Sequence, residues 1–100
     1  MKVKGRRYKV PIVRSFLDWS HGAYEIIEEI YVPELGLAFN KEGCVFRANE
    51  DRYKPMKLPS GKEVPVEYLG EVDISKEDAE FLLKFIKLKE KVEIIIGKYF

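Results

Sequence analysis

The sequence has no glutamine and only one cysteine, one histidine and one tryptophan, and the scarcity of cysteine and histidine removes a class of function. One His and one Cys cannot assemble a zinc centre, which draws three or four such ligands. Cys44 has no partner in the chain for a disulfide, and a lone cysteine reads as a small buried apolar residue. No apolar run approaches the roughly 20 residues of a membrane helix, and residues 1–11 are too polar for a secretory leader, so the expected location is the cytoplasm, with no membrane partner. Ser60-Gly61-Lys62 is not a phosphate loop, because Met56 stands where the first glycine belongs and Glu63 where Ser or Thr belongs. No cofactor is implied. The missing glutamine beside abundant Lys, Glu and Arg is a thermophile-like bias.

What is present describes a folded chain. Its 100 residues are 46% hydrophobic and 35% charged, which suits one α+β domain over 1–100. Residues 75–88, SKEDAEFLLKFIKL, carry the clearest helical period: Ala79, Leu82, Leu83 and Ile86 share a stripe, and Phe81, Phe85 and Leu88 widen it. Ser75 is the expected N-cap for the amide of Asp78. The apolar arc spans roughly 200°, about twice what a helix on a sheet requires, so a second layer or a partner must cover it. Continuing the helix would put Glu90 and Glu93 on that arc. It should therefore stop near Leu88 to Glu90, leaving residues 92–96 as a buried final strand.

Upstream, alternation predicts strands. Tyr8, Val10 and Ile12 alternate with Arg7, Lys9 and Pro11, and Pro11 places that strand at a sheet edge or marks a break. Trp19-Ser20-His21-Gly22 reads as a turn. Residues 23–32, AYEIIEEIYV, fit a helix ended by Pro33 and fit equally a strand folded back over His21-Gly22, pairing Leu17 with Ile26 and Val13 with Ile30. Residues 35–49 form a hairpin around Asn40-Lys41-Glu42-Gly43. Residues 49–55 read as a polar connection. A second hairpin is centred on Pro59-Ser60-Gly61-Lys62, with Val64, Val66 and Tyr68 facing inward. The expected fold is a mostly antiparallel small sheet with one C-terminal helix packed across it, followed by a final strand.

Charge is segmented although the net is +1: residues 1–17 hold six bases and no acid, and residues 63–80 hold seven acids and one base. Asp18, Ser20 and His21 are hydrolase residue types, but three of them crowded into DWSH, without a nucleophile elbow, describe a turn. Glu25, Glu28, Glu29, Glu67, Glu71 and Asp73 could gather around a divalent cation, yet solvated faces explain them better, and no metal site is expected. The chain is not expected to be an enzyme. The leading expectation is a small nucleic-acid-binding accessory protein that touches phosphates, whatever the sequence, through Lys4, Arg6, Arg7, Lys9 and Arg14, with Tyr8 stacking a base. The alternative is a protein-interaction module, an inhibitor or assembly subunit, that presents Phe81, Phe85, Tyr99 and Phe100. The broad helical arc motivates a homodimer through the same residues.

Overall fold

The computed structural model describes residues 1–86 and 93–100, the side chains of Glu93 and Ile94 excepted. In chain order its elements are β1 (Lys2–Ile12), α1 (Phe16–Ser20), β2 (Glu25–Val32), β3 (Leu37–Asn40), β4 (Val45–Arg47), a 3-10 turn (Glu50–Tyr53), β5 (Met56–Lys57), β6 (Glu63–Val64), β7 (Glu67–Ser75), α2 (Lys76–Phe85) and α3 (Glu93–Ile96). The main sheet is antiparallel with strand order β4-β3-β2-β1-β7, and β5 and β6 form a separate two-stranded ribbon.

Local chemistry explains where these elements begin. Asn40 Oδ1 accepts from the amides of Glu42 and Cys44, at 3.0 Å each, and Gly43 takes φ +95°, closing the β3–β4 turn as its residue types require. Leu58 N donates to Lys62 O at 2.9 Å around Gly61, φ +89°, which closes the β5–β6 ribbon at the expected place. Ser75 Oγ accepts from Asp78 N at 3.1 Å and opens α2.

Residues 25–32 are strand, and their register corrects the hairpin expected from the sequence. Arg6 pairs with Tyr31, Val10 with Ile27 and Ile12 with Glu25, so residues 13–24 form a longer connection that contains α1. Ser15 caps α1 by accepting from Asp18 N. The shorter turn would have set Asp18 against Glu25, whereas here Arg14 reaches Glu25 at 2.7 Å and Glu42 at 2.9 Å. Nor is β1 an edge strand. It lies between β2 and β7, and Pro11 is tolerated because the β7 pairing ends at Lys9–Glu67, two residues earlier.

The two faces of the sheet are covered differently. On one, Val3, Ile30, Val32, Leu37, Phe39 and Ile74 meet Ala79 and Leu82 of α2 and Ile96 of α3. Gly5 sits inside this core with no room for a side chain, since a Cβ there would lie 2.8 Å from Ile30 Cγ2 and 2.8 Å from Ile74 Cδ1. Part of the wide arc of α2 is covered from within the chain: Leu83, Phe85 and Ile86 pack on this core together with Ile95, Tyr99 and Phe100, while Phe81 stays exposed. The opposite face carries Tyr8, Val10, Ile27, Glu29, Tyr31 and Ala38, which β-strand alternation turns away from α2.

The final segment is not a strand. Residues Glu93–Ile96 make a helical turn, followed by bonds from Lys98 N to Ile95 O and Tyr99 N to Ile96 O; Val92 and the expected helix stop near Leu88 lie outside the described residues. A strand needs a neighbour for its backbone groups, whereas a helical turn supplies its own partners and still buries Ile96. This turn delivers Tyr99 to the start of α2, where its hydroxyl donates to Asp78 Oδ2 at 2.6 Å and accepts from Ser75 N at 3.2 Å. The Tyr99 bond holds the Asp78 carboxyl below its ordinary range. A carboxyl lowered on folding adds stability above its unfolded pKa, and that stability is lost as pH falls through the folded value. Tyr99→Phe should therefore cost about 1 to 3 kcal/mol at neutral pH and flatten the acid limb. Urea titrations of both proteins from neutral pH to below the Asp range test this, and parallel pH profiles would refute it.

Candidate functional site

Strand alternation divides the N-terminal cations. Lys4 and Arg6 lie on the face away from α2, Arg7 and Lys9 on the α2 face, and Arg14 in the β1–β2 connection. Four of the five meet acids of this chain. Lys4 bonds Asp73 at 2.7 Å and holds its carboxyl below the usual range. Arg6 meets Glu50 at 2.9 Å, and Arg14 meets Glu25 and Glu42. Arg7 bonds Glu28 at 2.9 Å, which lowers the Glu28 carboxyl, and its guanidinium carbon lies 5.4 Å from the centre of the Phe100 ring. Lys9 forms no ion pair among the described residues. Lys2, Lys4 and Arg6 do share a depression of about 400 Å³, but Glu34 and Glu71 line it too.

Among the described residues, Glu25, Glu28, Glu29, Glu71 and Asp73 meet cations of this chain and Glu67 does not, and no three metal-ligating side chains converge. The residues of DWSH do not form a relay: Ser20 Oγ donates to Leu17 O at 2.8 Å, and the Trp19 indole donates to Lys57 O at 3.2 Å. Cys44 is exposed rather than buried, because Gly43 and Asn40 hold it in the β3–β4 turn. Tyr68 is also exposed, since β7 pairs with β1 instead of extending the ribbon inward.

The face away from α2 holds a cluster that the sequence reading missed. Glu29 is 0% exposed and takes two bonds from Arg52, at 2.6 Å from Nε and 3.0 Å from Nη2. Arg52 also lies 4.5 Å from the centre of the Phe46 ring. Next to it, Tyr53 stacks on Tyr8 at 4.2 Å and tilts against Tyr31 at 4.9 Å. Burial, with Glu29 nearby, pushes the Tyr53 phenol up. One face of the Tyr8 ring is therefore occupied by this chain's own Tyr53. The 3-10 turn that brings both residues is capped by Asn49 Oδ1, which accepts from Asp51 N at 3.0 Å; that Asn was the available signal.

Of the aromatics expected at an interface, only Phe81 stays exposed, against Phe85 at 4.5 Å, while Phe85, Tyr99 and Phe100 are half-buried on the core. The uncovered apolar surface lies elsewhere. None of the five residues of α1 is buried; Phe16 is 79% and Leu17 64% exposed, and Ile26 at the start of β2 is 53% exposed. Tyr24 is exposed alongside. The Trp19–Lys57 bond ties α1 to β5, and the Phe16 and Trp19 rings are 5.7 Å apart. Next to the ribbon, Ile26, Val64 and Pro65 line a depression of about 450 Å³ bordered by Lys9 and Glu67. Among the described residues no helix is long and apolar enough to cross a membrane. No known family, curated protein or solved structure matches the chain.

Proposed function

We propose that this chain is a non-enzymatic protein-interaction module whose docking point is the corner formed by α1 and the start of β2. The observation that supports this most directly is α1 itself: a capped helix with no buried residue, carrying Phe16 and Leu17 outward. Isolated exposed apolar residues are ordinary, but several together on a projecting, hydrogen-bonded element are the composition of an interface. The ion pairs made by Lys4, Arg6, Arg7 and Arg14 favour this reading over phosphate binding. Each would have to be broken or shared before a phosphate could use the cation.

The second reading, nucleic-acid binding, draws on Lys2, Lys4 and Arg6 in one depression and on exposed Tyr68 along the same strand pair. Site-specific cross-linking separates the two. With a photoreactive benzoylphenylalanine in place of Phe16, irradiation of expressing cells should give a protein adduct identifiable by mass spectrometry. The same group in place of exposed Lys84 should give none. Nucleic-acid adducts from a probe replacing Arg6, with no protein adduct from position 16, would overturn the proposal.

A further inference from the structure

Resting on that reading, we infer that the partner at the α1 corner is a second copy of this chain, with α1 of each copy seated in the depression beside the ribbon of the other. Knob and hole lie next to each other on one molecule. The knob is Phe16 with Leu17, and the hole is the depression of about 450 Å³ whose apolar wall is Ile26, Val64 and Pro65. Both border the β5–β6 ribbon, the knob through the Trp19–Lys57 bond and the hole through Val64. A two-fold axis between them fills both holes at once, because in such a contact residue i meets j and j meets i.

Charge favours the same occupant. The hole is bordered by Lys9 and Glu67, while Asp18 lies on α1 and Lys57 beside it. None of these four forms an ion pair among the described residues. Each side thus offers one acid and one base, the balanced rim that a self-complementary contact requires. A partner of one strong sign would leave half of that rim repelled.

The test is mass by light scattering of the full chain at micromolar concentration. Wild type should run at about twice the 11.7 kDa chain mass. Phe16→Asp, which blocks the knob, and Ile26→Asp, which blocks the hole, should each be monomeric with unchanged circular dichroism, since both side chains are exposed. Mixed in equal amounts, the two variants should recover a weaker dimer, because one intact knob still finds one intact hole. Monomeric wild type at every concentration, dimers that survive either substitution, or a mixture that stays monomeric would each overturn the inference. Cross-linking at position 16 keeps the two readings apart: an adduct with a different protein defeats self-association and leaves the docking corner standing, and no protein adduct defeats both.

Discussion

Arg52→Ala is expected to be the most damaging single change available at the protein's surface, at about 3 to 5 kcal/mol. Arg52 is partly exposed, so its position alone suggests a tolerant site. Its partner decides otherwise. Glu29 is fully buried and both its oxygens are satisfied by the Arg52 fork, so truncating the arginine leaves a carboxylate with neither water nor a counter-charge. Total stabilities are only about 5 to 15 kcal/mol, and the loss should be obvious in a urea titration. Arg52→Lys should recover part of it, since one ammonium cannot make the paired bonds. Removing both charges with Glu29→Met and Arg52→Met should cost less than Arg52→Ala alone, because a buried pair often gives little net stability over apolar residues of similar size. A loss below about 1 kcal/mol for Arg52→Ala would mean that water reaches Glu29 once the arginine is gone.

Leu82→Ala should follow closely, at about 2 to 5 kcal/mol, the cost of a large buried side chain plus the cavity it leaves. Leu82 is fully buried between α2 and the sheet, while its neighbour Leu83 is only half-buried. The periodicity of the helix places both leucines on the stripe. The structure separates them, so Leu83→Ala should cost clearly less and Lys84→Ala close to nothing. Denaturant midpoints of the three variants, compared at equal slope, measure this directly. Equal losses for Leu82 and Leu83 would mean that the C-terminal residues cover the outer part of the arc as tightly as the sheet covers the inner part.

These two effects show what could be read from residues in order and what could not. The Asn40–Gly43 turn, the Gly61 turn and the Ser75 cap are decided within four or five residues, and each formed where its chemistry placed it. The helix stripe was legible for the same reason. Glu29 and Arg52 stand 23 positions apart, and nothing local marks either as half of a buried pair. The β1–β2 register was hidden similarly: a strand paired over His21-Gly22 was one of two equal readings, flawed by Asp18 facing Glu25, and a five-residue helix has too short a period to announce itself. The Ile-rich end read as strand because β-branched residues prefer strands, but packing against α2 and Phe39 decided its shape. The pairing of Lys4, Arg6 and Arg7 with acids from β7, the 3-10 turn and β2 depends on the folded sheet, so the basic run in the sequence does not show which of its cations meet acids.

The two lateral rims of the main sheet bear on how copies of this chain can join. On one side β4 has three residues, too few to template a neighbour. On the other, β7 presents Glu67, Glu71 and Asp73, and its line is broken where the register slips opposite Arg7 and Tyr8 and Gly70 takes φ +117°. Two such strands laid antiparallel would bring acids near acids with no base on either, and the bulge would twist the ladder apart. Both rims of the main sheet thus disfavour edge-to-edge strand addition, the route by which sheets extend into filaments. A reciprocal contact of the kind proposed at the α1 corner would close after two copies and not propagate.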